Sequence, residues 1–263
     1  MEYEYWRRQT NRSLFSDIDW NRPEQKSQAG RLAIIGGNKL SFASVACGCK
    51  YATEFGVGEV RAMVPDALQR LIPNNKNTFF AQSNDSGGFS KKSVANLTSI
   101  TEWADAVVLI GDLGKNSETA IAMEHLMKAS GKLLITRDSI DLLMNNMGTL
   151  VEREETMIFA SMAQLQKIFR TVYYPKVLTF NMQLNTLVEA VHKFTVTYPL
   201  TVATLHQDVF VAAYRGEVIT TELRLTKYSP ILIWNGEAAV KAASHFIWNP
   251  ESPLEAAAVS IMN

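Results

Sequence analysis

Hydrophobic and polar positions along the chain alternate between two kinds of run. Short apolar runs bounded by Gly, Asn or Asp occur at Leu32–Ile35, Val60–Val64, Ala106–Ile110, Lys132–Ile135 and Leu200–Leu205. They have no polar face, so they read as strands covered on both sides. Between them, apolar residues recur at helical spacing over Phe42–Phe55, Lys91–Trp103, Ser117–Ser130 and Asn181–Lys193, the last with Leu184, Leu187, Val188 and Val191 on one face. A shorter helix is expected over Pro65–Ile72, a strand over Thr78–Gln82, and a strand turning into a helix over Met157–Phe169. Residues 144–155 read as a polar connection. Val209–Ala213 and Val218–Leu223 read as a hairpin closed by Arg215-Gly216. This alternation predicts an α/β domain with a mainly parallel central sheet and helices on both faces.

Residues 1–29 break the pattern. Tyr3, Tyr5, Trp6, Phe15 and Trp20 stand among Arg, Asn, Asp and Gln without a clear period. Aromatics at this density argue against a disordered tail. The segment reads as an arm, packed on its own domain or on a neighbouring subunit, with the domain proper occupying residues 30–263.

Composition narrows the function classes. The chain has 263 residues, 47% of them hydrophobic, enough for one large α/β core. Lys plus Arg and Asp plus Glu number 26 each, so net charge gives no reason to expect nucleic acid or an anionic membrane as partner. No apolar run reaches the ~20 residues of a membrane span, and the start MEYEYWRRQT has no signal-peptide core. Cys47 and Cys49, two apart in one predicted helix, suit neither a mutual disulfide nor a metal site. His125, His192, His206 and His245 show no ligand spacing, so no metal centre is expected. A reduced, cytoplasmic protein is the simplest reading.

Candidate chemistry lies at the ends of the apolar runs. In the stretch SPILIWNGEAAVKAA, Ile231–Trp234 reads as a strand that turns through Asn235-Gly236 into an Ala-rich helix starting at Glu237. A strand-to-helix turn of this kind leaves backbone N–H groups free to bind an anion. A plain capped helix, whose glutamate only complements the dipole, accounts for the same residues. Gly36-Gly37-Asn38 closes the first apolar run, and GDLGK closes the most apolar one. GDLGK is not a phosphate-binding P-loop, because the glycine required five residues before the Gly-Lys pair is Leu109. Ligands of open parallel sheets sit at the carboxyl ends of strands, which favours a ligand role for Gly111 and Gly114. Asp138 precedes a helix and is equally an ordinary cap.

The segments GRLAIIGGNKLSFAS, FGVGEVRAMVP, AVVLIGDLG, WNGEAAVKA and PLEAA together resemble the ADP/ATP-dependent NAD(P)H-hydrate dehydratases of the ribokinase-like superfamily. In that family the corresponding motifs read G-R-[VL]-L-[VI]-I-G-G-[SN], A-[LV]-V-I-G-P-G-L-G and G-[TS]-G-D-V-L-A-G, with P-x-E-A-A further on. The resemblance implies a three-layer α/β/α sandwich, ribokinase-like, over roughly residues 30–258. It places Glu237 at the catalytic aspartate, as the base, with Asn235 and Gly236 binding the anion and Trp234 where the family has a glycine. His206, in LHQD where the family has V-L-K-G, joins the anion-binding group. Gly37, Asn38, Gly111, Gly114, Asp138 and Gln164 are implied as substrate contacts. The family's L-T-P-H-P-G-E-L-A-R-L appears here as IFASMAQLQKI, with Ser161 and Gln164 replacing its ionisable groups. By the same resemblance the cofactors are ATP or ADP with Mg2+, the substrate is a hydrated nicotinamide nucleotide, and the protein is a homo-oligomer. The implied reaction phosphorylates the hydroxyl of the hydrate and then eliminates phosphate. A catalytically inactive relative kept as a binding or assembly protein, and a small-molecule kinase of the hydroxyethylthiazole-kinase type, are the alternatives.

Overall fold

The computed structural model describes residues 4–73, 75–226 and 228–262. The chain runs through β1 (Trp6–Gln9), β2 (Arg31–Gly36), α1 (Ala43–Phe55), β3 (Glu59–Pro65), β4 (Thr78–Ala81), α2 (Val94–Trp103), β5 (Ala106–Gly111), α3 (Ser117–Ala129), β6 (Lys132–Thr136) and α4 (Asp138–Leu142). It continues through α5 (Met147–Val151), β7 (Thr156–Ser161), α6 (Met162–Thr171), α7 (Leu184–Thr197), β8 (Thr201–His206), β9 (Val209–Tyr214), β10 (Glu217–Glu222), α8 (Pro230–Trp234), α9 (Glu237–Trp248) and α10 (Pro253–Val259).

The strands form one ten-stranded sheet in the order β1-β10-β9-β8-β7-β6-β5-β2-β3-β4, and β9 alone among the described strands runs against the others. Strand β5, AVVLIG, is buried at every position, which is why its sequence has no polar face. Side-chain alternation sends Ala33, Ile35, Val107 and Leu109 into a core shared with α2 to α7. It sends Leu32, Ile34, Val108 and Ile110 into a second core under α1 and α8 to α10. The three layers expected from the sequence are therefore present. Strand order reverses between β2 and β5, with β3 and β4 to one side and β6 onward to the other. The crevice outside the carboxyl ends of strands at such a reversal is where open α/β sheets bind ligands.

Several elements differ from expectation. The arm contains a strand: β1 pairs in parallel with β10, the Trp6 indole N–H donates to Thr220 Oγ1 at 2.9 Å, and Gln9 Nε2 donates to Thr221 Oγ1 and to the Ala258 carbonyl. Of the two expected arrangements, this arm lies on its own domain; Tyr3 falls outside the described residues. The helix expected over Pro65–Ile72 shrinks to a 3-10 turn over Asp66–Leu68, because the Asp66 carboxylate accepts from the Ser83 backbone and hydroxyl instead of capping a helix. The polar connection 144–155 contains α5, whose Met147, Leu150 and Val151 are buried one helical turn apart. Ile231–Trp234 is not a strand but the short helix α8, with Pro230 pre-setting its first turn.

The arm also shapes the surroundings of His245, which is 3% exposed on α9. The Arg22 guanidinium sits 5.7 Å from the centroids of the Phe55 and Trp248 rings, which both contact the His245 ring. Burial, and then the charges of Arg22 and Lys241, push the His245 imidazole down to about 4 from 6.5. Between those values the unfolded chain binds the extra proton and the folded chain does not, so stability falls as pH falls. We expect a loss of up to ~3 kcal/mol between about pH 7 and about pH 4. Urea titrations across that window check it, and His245→Gln is expected to flatten the profile.

Candidate functional site at the strand reversal

The loops after β2, β5 and β6 converge at the reversal. The Gly37 N–H donates to the Gly111 carbonyl at 3.0 Å, and the Asn38 side-chain amide donates to the Asp112 carbonyl. Asp112, at φ 58°, follows β5 directly. Its carboxylate accepts from Ser41 Oγ at 3.1 Å, from the Ser44 N–H at 3.1 Å and from Ser44 Oγ, and it pairs with Arg137 Nη2 at 3.0 Å. Burial pushes this carboxyl up, but the Ser44 bonds, the Arg137 charge and Ser41 outweigh it and hold it below the usual carboxylate range. So held, Asp112 is a clamp between loops and a poor proton acceptor.

Asp138 completes the clamp. Its two carboxylate oxygens take the backbone N–H groups of Asp112 at 2.7 Å and Leu113 at 3.0 Å. Gly111, at φ 100°, is required by this packing: a Cβ there would collide with the side chains of Asp138 and Arg137. Gly114, at φ 74°, lies further along the same loop. Gln164 forms a capping box with Ser161, and its Nε2 donates to the Arg137 carbonyl at 2.8 Å and to Asp141 at 2.8 Å. Gln164 thus ties α6 to the loop after β6.

The Asn235–Glu237 turn joins α8 to α9, and this changes its chemistry. The Trp234 carbonyl, at the carbonyl end of α8, faces the Arg137 guanidinium and accepts from Nη1 at 3.1 Å. Asn235 Oδ1 takes the Glu237 N–H at 3.1 Å, while its Nδ2 donates to Tyr51 Oη at 3.2 Å. Gly236, at φ 95°, faces the sheet: a Cβ there would lie 2.9 Å from Ile110. Glu237 is 8% exposed and pairs with Lys241, one turn along α9, at 3.1 Å. The Tyr228 hydroxyl is sealed from solvent beside the Glu237 carboxylate. Burial, and then that charge, push it well above its ordinary value.

Arg137, at φ 59°, links the two halves by bonding Asp112 on one side and Trp234 on the other. The structure therefore brings Gly37, Asn38, Gly111 and Asp138 into one hydrogen-bonded loop cluster. Gln164 braces that cluster from α6, and Asn235, Gly236 and Glu237 adjoin it. His206 is 3% exposed, and its Nε2 lies 2.9 Å from the Met182 carbonyl. A carbonyl only accepts, so that nitrogen carries the proton and is committed to the backbone. Sequence reasoning passed over Asp112, Ser44, Arg137 and Lys241. Two signals were available: a charged residue immediately after a fully apolar strand, and a lysine four residues after a helical glutamate.

These residues do not fit a nucleotide with Mg2+ at the turn. The Glu237 N–H is taken by Asn235, the Trp234 carbonyl is bonded to Arg137, and the glycine faces Ile110, so the first-turn donors of α9 that remain are those past Glu237. Among the described residues no group of three or more His, Cys, Asp or Glu side chains is placed to hold a metal ion.

No protein-family model matches the chain. It is 29% identical over 86 residues to an ADP-dependent (S)-NAD(P)H-hydrate dehydratase of Natrialba magadii, a match covering 33% of this chain and 33% of that protein. It is 23% identical over 158 residues to a bifunctional NAD(P)H-hydrate repair enzyme of Methanothermobacter thermautotrophicus, covering 58% of this chain and 30% of that protein. The matches thus span about a third of either curated relative. A ribokinase-like superfamily protein of Enterococcus faecalis superposes with TM-score 0.70 at 15% identity, covering 99% of this chain and 87% of its own. The ADP/ATP-dependent NAD(P)H-hydrate dehydratase of Bacillus subtilis, co-crystallised with ATP and Mg2+, superposes with TM-score 0.62 at 11% identity, covering 95% and 86%. The fold is the ribokinase-like sandwich. No helix among the described residues is long and apolar enough to cross a membrane.

Proposed function

We propose that this distant relative of the NAD(P)H-hydrate dehydratases is a binding or assembly protein that has kept the ribokinase-like fold and lost phosphoryl transfer. The observation that carries this reading is the buried Glu237–Lys241 pair, at 3.1 Å with side chains 10% and 18% exposed. A general base must offer a free lone pair to the hydroxyl it deprotonates, within hydrogen-bond reach. Here Oε1 is committed to the Lys241 ammonium one turn away, and Glu237 is only 8% exposed, so a substrate hydroxyl has little access to the carboxylate. The Arg137 bond to the Trp234 carbonyl further closes the space in which a transferring phosphoryl group would need donors.

The direct test incubates purified protein with NADH hydrate, Mg2+ and either ATP or ADP. It follows the return of nicotinamide absorbance and the release of phosphate. No turnover above the protein-free control is the expected result, and any nucleotide binding is expected to be indifferent to Glu237→Gln. Nucleotide-dependent restoration of NADH that Glu237→Gln abolishes would overturn the proposal.

That outcome would favour a second reading, a divergent nucleotide-dependent dehydratase with Glu237 as base. It draws on the sequence similarity to enzymes named for hydrate repair. It requires Lys241 to leave Glu237 when substrate arrives.

A further inference from the structure

Away from the strand reversal, the outer face of α6 and the segment that follows it enclose a groove of about 600 Å³. Clefts holding small organic ligands commonly occupy about 300–1,000 Å³. The floor of this one is aromatic and rigid. Phe169 is buried, stacks on Phe194 with centroids 4.4 Å apart, and meets the edge of Tyr174 at 5.0 Å. Gln166 Nε2 donates to the Leu178 carbonyl at 2.8 Å and fixes the returning segment against α6.

The rim is cationic and carries an aromatic ring in water. Lys167, Arg170 and Lys176 line the groove. Lys167 pairs with Asp141 at 2.6 Å, whereas Arg170 and Lys176 have no ion pair among the described residues. Glu189 on α7 feels the Lys176 charge but is taken by Lys193 at 2.6 Å. Tyr173 is 92% exposed and sits at φ 53°, in the left-handed region that non-glycine residues seldom occupy. That position belongs to the C-terminal capping turn of α6, where the Tyr174 N–H donates to the Phe169 carbonyl at 2.8 Å and the Tyr173 N–H to the Arg170 carbonyl at 3.2 Å, and it leaves the Tyr173 ring in solvent on the rim.

We propose that this groove binds a planar organic anion of the nucleoside monophosphate class, with Arg170 and Lys176 holding the phosphate and Tyr173 stacking on the base. Guanidinium and ammonium groups without carboxylate partners bind phosphate by charge-assisted hydrogen bonds. A tyrosine ring stacks on any nucleobase, with alanine substitution typically losing about five- to a hundredfold in affinity. The site lies on the outer side of α6, whereas the Asn235–Glu237 turn lies in the opposite helical layer, so either proposal can fail without the other.

The test is calorimetric titration of the full chain with adenosine 5′-monophosphate, with adenosine and inorganic phosphate as separate probes and no Mg2+. The nucleotide is expected to bind with a dissociation constant between about 10 µM and about 1 mM, and each fragment at least tenfold more weakly. Arg170→Glu is expected to weaken binding at least tenfold, and Tyr173→Ser about fivefold. Both positions are exposed, so circular dichroism should show the fold retained. No heat at several millimolar nucleotide overturns the proposal. So does binding that survives both groove variants. Sedimentation that shows self-association in the absence of nucleotide, lost in Tyr173→Ser, also overturns it, because the groove would then be a contact between copies of the chain.

Discussion

Asp138→Ala is expected to lower the thermal midpoint by on the order of 10 °C, the larger of two effects centred on the loop cluster. The wild-type carboxylate takes two backbone N–H groups, those of Asp112 and Leu113, at 2.7 and 3.0 Å. Hydrogen bonds to a charged acceptor contribute about 1.5–3 kcal/mol each, and donors left unpaired in a buried loop add a desolvation cost. Leu113 is 1% exposed, so water cannot replace the lost oxygen there. The sum is ~3–5 kcal/mol, and each kcal/mol shifts the midpoint of a chain this size by about 2–4 °C. Asp138→Asn keeps one acceptor and should lose about half as much. Scanning calorimetry of both variants checks the order. Equal, small shifts would mean that the loop after β5 is held by Asp112 and its serines alone.

Lys241→Met is expected to destabilise the protein by ~3 kcal/mol, because it strands the Glu237 carboxylate in a site where water hardly reaches. Adding Glu237→Gln to that variant should restore most of the loss, since a neutral amide no longer needs a counter-charge. A double-mutant cycle by urea denaturation is expected to give a coupling of ~2 kcal/mol. A coupling near zero would show that the pair is not formed in solution. It would leave Glu237 free to act as a base and so weigh toward the dehydratase reading. The same experiment therefore bears on stability and on function.

The parallel strands were legible because burial on both faces removes every polar position, as in AVVLIG. Helices α3 and α9 were legible from Asn116 as a cap and from an unbroken Ala-rich run. Helix α8 was not. Four apolar residues fit a strand or one helical turn equally well, and the deciding residue, Pro230 at the first helical position, lies just outside the run. Strand β1 has four residues, too few to show a period, and its partner Thr220 is 214 positions away. The site was half legible for the same reason. Glycines at strand ends mark a turn locally. Asp112 is explained only by Ser41 and Ser44, about seventy residues earlier, and by Arg137 from another loop. Fold similarity brought the right loops to attention without revealing that their polar groups satisfy one another.

The pairing of β1 with β10 also fixes an order of events during synthesis. Arg7 meets Glu217 across 210 positions, so β1 leaves the ribosome long before the strand it pairs with. At about 5–20 residues per second, Trp6 and its neighbours wait roughly 10–40 s for their partner strand. Through that interval the arm is an unsatisfied strand carrying aromatic side chains, open to other nascent chains or to a chaperone. The rest of the sheet, from β2 to β8, consists of strands that can add one beside another as they emerge. The arm closes the sheet last, and the hazard of misassembly concentrates in its wait.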